Sequence, residues 1–174
     1  IEELRLTVAG TAGGTVVDCA KLGVSTLGVG AVGDDEKADF VISTLEKFGV
    51  DTSGFERLKG IPTSSTILNI RPNGERPALH LRGACDHFLP PKKEKVDIFD
   101  CKVFHLGGTG LLKLLDGQVS VDLLKEAKER GCITTWDLIG ATEETIDIVK
   151  PLLPHIDYFM PSIEEASIMC GLSQ

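Results

Sequence analysis

Residues 9–23, AGTAGGTVVDCAKLG, set Gly10, Gly13 and Gly14 directly ahead of an amphipathic pattern. Val16, Val17, Ala20 and Leu22 supply its apolar positions and Gly23 its stop, so the spacing predicts a helix over 15–22. Upstream, Leu4 to Ala9 reads as a strand leading into the glycines. Glycine tolerates positive φ and lets a ligand approach the backbone with no Cβ in the way. A helix N-terminus adds free N–H groups and a partial positive charge. The segment therefore reads as a place where a polar small molecule meets main chain.

Outward from this segment, strand and helix alternate. Ser25 to Val32 is an apolar strand, and Asp34 caps a helix over 35–48 that carries Phe40, Val41, Leu45 and Phe48 on one face, with Gly49 at its end. Another helix runs from Ser120 to Arg130, ended by Gly131, and is followed by a strand from Cys132 to Asp137. A third long helix is expected over Thr142 to Leu153, a strand over Ile156 to Met160, and a last helix over Ser162 to Cys170. Such alternation favours a mostly parallel sheet covered by helices, in a single α/β domain over 1–174. One segment breaks the rhythm: Thr63 to Arg71 and Glu75 to Arg82 are extended runs joined by Pro72-Asn73-Gly74, a hairpin signal. Leu79 and Leu81 alternate there with His80 and Arg82, giving one apolar and one polar face.

The chain has 174 residues, is 42% hydrophobic and carries a net charge of -8. It is long enough for one ordinary core. Its acidity argues against nucleic acid, which needs clustered Lys and Arg. The one basic cluster, Lys92, Lys93 and Lys95, is interrupted by Glu94 and reads as a solvated loop. No run approaches the roughly 18 apolar residues of a membrane span, and no secretory leader is evident. Five cysteines (Cys19, Cys85, Cys101, Cys132 and Cys170) occur without a CxxC, four of them beside apolar runs. They read as free, buried thiols in a reducing cytoplasm. His80, His87, His105 and His155 form no zinc-ligand spacing.

Gly28, Gly30 and Gly33 spell G-x-G-x-x-G, with Asp51 18 residues further on. A dinucleotide fingerprint would place these glycines in the turn after the strand, yet two of them lie inside the apolar run. Asp34 and Asp35 then occupy the helix start, where a pyrophosphate needs positive potential. An NAD-dependent oxidoreductase is thus the weaker alternative.

The order AGTAGGTVVDCAKLG, GAVGDDEKADF (30–40), EKFGVDTS (46–53), PTSSTILNIRPNGERPALHLRGA (62–84) and DYFMPSIEEASIMCG (157–171) resembles the ribokinase-like (PfkB) family of carbohydrate and nucleoside kinases. The resemblance covers Leu4 to Leu172. It implies a three-layer αβα sandwich, Rossmann-like, with a mostly parallel sheet and a small β-hairpin lid at about 62–83. It also implies transfer of the γ-phosphate of ATP, with Mg2+, to a hydroxyl of a small-molecule sugar or nucleoside. The cysteine usage makes the expected setting cytoplasmic, and dimerisation through the hairpin is a further expectation. Carried onto this chain, acceptor contacts fall on Gly10, Thr11 and Gly14, and the phosphate and metal network on Glu165 and Ser162, with Glu165 acting on Mg2+ through water. Asp137 ends a strand where open α/β sheets place ligand contacts and is read with that network. The run from His105 to Gly110 also ends a strand and is expected to line the same crevice, with Gly107 on the acceptor side. Arg82, on the polar hairpin face, is expected to reach the acceptor from the lid.

Three positions depart from the family pattern. Gly14 and Cys85 stand where the family commonly has Asn, and Ser162 replaces the Asn of its Asn-x-x-Glu segment. Ser162 and Glu165 also fit a helix capping box. The family's first strand, which carries an acceptor-binding Asp, is expected upstream of Ile1. Its Gly-rich anion hole with the general-base Asp is expected beyond Gln174. The segment alone is therefore expected to be inactive, and a noncatalytic metabolite-binding remnant is the other alternative.

Overall fold

The structure, a computed structural model, describes residues 3–172. Two parallel ladders and one antiparallel hairpin organise them. Strand β1 (Leu27–Val32) pairs with β2 (Asp51–Arg57) across helix α2 (Glu36–Lys47). The hairpin follows as β3 (Ser65–Leu68) and β4 (Ala78–Leu81), with Thr66 opposite His80 and Ile67 opposite Leu79. Strand β5 (Val103–Thr109) then pairs with β6 (Ile133–Leu138) across helix α3 (Gln118–Glu129). Helix α4 (Glu143–Val149) leads to β7 (Tyr158–Phe159) on the far side of β6, and α5 (Ile163–Met169) ends the described chain.

Helix α1 (Thr11–Lys21) packs against both β1 and β5 and so bridges the two parallel ladders. Its apolar face puts Val17 with Leu45 of α2 and Val50. The main core lies around β5 and β6, where Leu106, Leu124, Trp136, Val149 and Leu152 pack together with Ala31 of β1. Trp136 is fully buried, stacks on Phe159 with ring centroids 4.3 Å apart, and donates Nε1–H to Thr109 Oγ1 at 2.8 Å.

Several sequence expectations are corrected. Leu4 to Ala9 forms no strand: Leu4 and Leu6 are exposed and the segment pairs with no ladder, without which β propensity does not hold a strand. Among the described residues, β1 and β5 accordingly belong to separate ladders rather than one hydrogen-bonded sheet. Strand β2, DTSGFER, is polar in composition and forms an outer strand with mostly exposed side chains. Helix α1 starts at Thr11, taking Gly13 and Gly14 into its first turn. The long third helix stops at Val149 because Pro151 removes an N–H and Pro154 nucleates a separate 3₁₀ turn. Of the cysteines only Cys132 is buried, while Cys101 and Cys170 are exposed in turns that follow or precede apolar runs.

Candidate functional site

At the C-terminal ends of β5 and β6 the polar groups of three elements meet. The register sets His105 opposite Thr135, and Asp137 follows two residues on, so all three share one face of the ladder. That face looks toward the first turn of α1. His105 Nδ1 lies 2.9 Å from Thr135 Oγ1, and its Nε2 lies 3.4 Å from Asp137 Oδ2. Asp137 Oδ1 accepts from the Gly108 amide at 2.9 Å. Burial pushes the Asp137 carboxyl up, but bonding to His105, the Gly108 amide and Thr11 outweighs it and holds the group below its ordinary value. The side chain is only 16% exposed, so it is an ionised carboxylate largely shielded from water.

Two glycines make the approach possible. Gly10, at φ 93°, turns the chain into α1 with no side-chain cap on the helix. A Cβ at Gly107 would sit 3.0 Å from Ala12 Cβ, from the Ala12 amide and from His105 Nε2. Only hydrogen at that position lets α1 press against the end of β5. Thr11 Oγ1 and His105 Nε2 are shielded from water, and the Asp137 carboxylate is the acceptor group beside both.

Gly14 lies one turn into α1, its amide donating to Gly10 O at 2.8 Å, with open space where a side chain would project. Ser162 and Glu165 form the expected capping box at α5: Glu165 N donates to Ser162 Oγ at 3.2 Å, and Ser162 N to Glu165 Oε2 at 2.8 Å. The other carboxylate oxygen, Oε1, accepts from Gly140 N at 3.0 Å and ties α5 to the loop after β6. Glu165 therefore sits on the same edge as Asp137. As for Mg2+, no group of three potential ligands exists among the described residues. A single anchored carboxylate fits magnesium only through ordered water, the ion keeping most of its hydration.

Arg82 stands at the end of β4 with Nε donating to Asp86 Oδ1 at 2.7 Å, so the hairpin strand hands directly into a 3₁₀ turn over Gly83–His87. Its charge reaches Asp116, in the loop after β5. There Asp116 Oδ2 accepts from Gly110 N at 3.1 Å and Leu112 N at 3.0 Å. Burial raises the Asp116 carboxyl above its ordinary value, the two amides and Arg82 opposing it. The hairpin itself is exposed on both faces. Gly28 and Gly30 back onto the Phe55 ring, and a Cβ at Gly33 would overlap Ile61 O, so the G-x-G-x-x-G glycines are packed by protein.

Thr135 and Asp116 carry no signature of their own in the sequence. The His105–Gly110 run at the end of an apolar strand does, and the β5–β6 register is what joins His105 to Thr135 and Asp137.

The family model described as pfkB family carbohydrate kinase matches residues 1–174, and the chain belongs to that family. Fructokinase-2 of Solanum lycopersicum is 26% identical over 170 residues, covering 93% of this chain and 52% of that protein. A fructokinase structure from Xylella fastidiosa superposes with a TM-score of 0.76 at 22% identity, covering 95% of this chain and 54% of the other. The Arabidopsis thaliana ribokinase solved with ribose and ATP gives a TM-score of 0.78 at 20% identity, with 97% and 54% covered. The fold is the ribokinase-like α/β fold. The chain spans about half the length of the curated relatives it matches.

Proposed function

We propose that this chain is the acceptor-binding part of an ATP-dependent sugar kinase that passes the γ-phosphate to a carbohydrate hydroxyl. The observation that carries the reading is the meeting of the Gly10–Thr11 helix start, the Gly107–Gly108 turn and Asp137 at one ladder edge, in a chain of the pfkB family. Gly10, Thr11, Gly14 and Gly107 line the acceptor side, and Arg82 approaches from the hairpin lid. Asp137 and Glu165, each anchored by main-chain amides, hold the loops of the edge in place, and Glu165 together with Ser162 orients water toward magnesium and phosphate. ATP supplies the phosphoryl group. Fructose is the first acceptor to test, since the matched relatives are named fructokinases. A cytoplasmic setting and a second copy seated on the exposed lid residues Ile67, Leu68, Leu79 and Leu81 complete the reading.

The test is calorimetry of the chain against fructose, ribose and a nucleoside, followed by magnesium- and ATP-dependent phosphorylation by the complete gene product. Saturable binding of one sugar, abolished by Gly107→Val, is expected. A complete gene product that neither binds nor phosphorylates any of them refutes the kinase reading. Equilibrium sedimentation that finds only monomer in the complete product refutes the lid dimer.

A further inference from the structure

At the opposite, N-terminal edge of the β5–β6 ladder, two thiols approach each other without any role in the site above. Cys101 lies two residues before β5 and Cys132 immediately before β6. Their sulfurs are 3.8 Å apart. Cys132 Sγ also points back along the same turn, 3.2 Å from Cys101 O and 3.5 Å from Phe99 O. The surrounding backbone is fixed, because Ile133 N donates to Lys102 O at 2.9 Å and starts the parallel ladder there. Cys132 is 5% exposed within a small cluster of Phe99 and Ala127, whereas Cys101 is exposed. One reachable thiol therefore stands over one buried thiol. A disulfide needs a sulfur separation of about 2.05 Å, and a rotation of the exposed side chain is the natural way to close the gap.

We propose that Cys101 and Cys132 form a disulfide when the protein meets a low-molecular-weight disulfide oxidant, stapling the start of β5 to the start of β6. The Cys101 thiolate attacks one sulfur of oxidised glutathione, forming a mixed disulfide and releasing one glutathione. Cys132 then attacks the Cys101 sulfur, the new bond forms, and the second glutathione leaves. The two protein thiols lose two electrons and two protons, and the oxidant is reduced to two glutathione molecules. Burial and the neighbouring Cys132 thiol push the Cys101 thiol up to about 12, with Asp100 acting the same way and Arg130 against it. The attacking form is scarce at neutral pH, so the reaction is slow and quickens in mild alkali. The staple closes a loop of about 30 residues, which corresponds to a rise of roughly 7–15 °C in melting temperature.

The experiment treats the chain with oxidised glutathione at mildly alkaline pH, blocks free thiols and maps peptides without reduction. Trypsin releases Cys101 in peptide 96–102 and Cys132 in peptide 131–174, which also holds Cys170, so a Cys170→Ser background is used. The expected product is two hydrogen atoms lighter and contains those two peptides joined. Its melting temperature rises by the amount above and returns on reduction. Cys101→Ser, which leaves the buried cluster intact, must lose both the cross-link and the shift. Glutathione retained on Cys101 without a cross-link overturns the proposal, as does a link through Cys19 or Cys85, or no reaction.

Discussion

Replacing Thr63 by Val tests how the hairpin is rooted in the α/β body. Thr63 is 3% exposed, and its hydroxyl does two things at once. It accepts from the buried Gly33 amide at 2.9 Å and donates to Asp35 Oδ1 at 2.5 Å. Its amide adds a bond to Asp35 Oδ2 at 3.0 Å, which the valine variant keeps. A hydrogen bond to a charged group contributes about 1.5–3 kcal/mol, and stranding a buried N–H costs about 1–3 kcal/mol. The two losses share one oxygen and are not additive, so about 3 kcal/mol is expected, or a fall of about 6–12 °C in melting temperature. Urea titration reads this as a lower midpoint with unchanged slope. Thr63→Ser, which retains the hydroxyl, should lose far less. Asp35→Asn keeps the cap on Ala38, so the double variant isolates the charged bond. A Thr63→Val loss under about 0.5 kcal/mol would refute the reasoning, because valine fills the same space.

Acid titration should reveal two groups of carboxylates with opposite signs. Asp157 is held at about 2 mainly by Lys128 and the Thr134 amide, Asp97 at about 2 mainly by Arg130, and Asp35 is lowered by its bonds to Thr63 against burial. Depressed values contribute stability that is present above the unfolded pKa near 4 and lost as pH falls through the folded ones, so the melting temperature should drop between about pH 4 and pH 2. Asp116, raised by burial, works the other way: Asp116→Asn should leave stability at pH 7 unchanged or higher, whereas Asp157→Asn should lower it. Thermal scans of both variants at pH 7 and pH 3 check the signs.

Much of the architecture was legible because its physics is local. Ser162 and Glu165 close a capping box on α5, Asn73-Gly74 turns the hairpin, and an aspartate caps α2, although it is Asp35 and not the expected Asp34, which moves the helix start to Glu36. The failures are the positions where distant partners decide. Leu4 to Ala9 has strand composition and no strand to pair with, and Asp51–Arg57 is polar in composition yet pairs with β1 in parallel, with a register shift between Leu27 and Val29. Phe55 explains the second case, since its ring covers Gly28 and Gly30 and makes an otherwise polar strand worth forming. The same packing accounts for the dinucleotide-like glycine spacing without a ligand.

The candidate site divides along the same line. Gly10, Gly14 and Asp137 could be singled out because a glycine cluster at a helix start and a carboxylate at a strand end are visible one segment at a time. What joins them is the β5–β6 register, which puts His105, Thr135 and Asp137 on one face and points them at α1. That register also changes what Asp137 can do. With one oxygen on the Gly108 amide and the other beside His105, it is better suited to fixing the glycine turn than to binding a ligand directly. Glu165 has the same character, one oxygen on Ser162 N and one on Gly140 N. Two carboxylates thus hold the loops of one ladder edge through main-chain amides. If that edge is the acceptor side, as proposed, recognition falls to backbone groups and to what approaches from the hairpin, since Gly14 carries no side-chain donor, and substitutions at Gly10 and Gly107 are its sharpest probes.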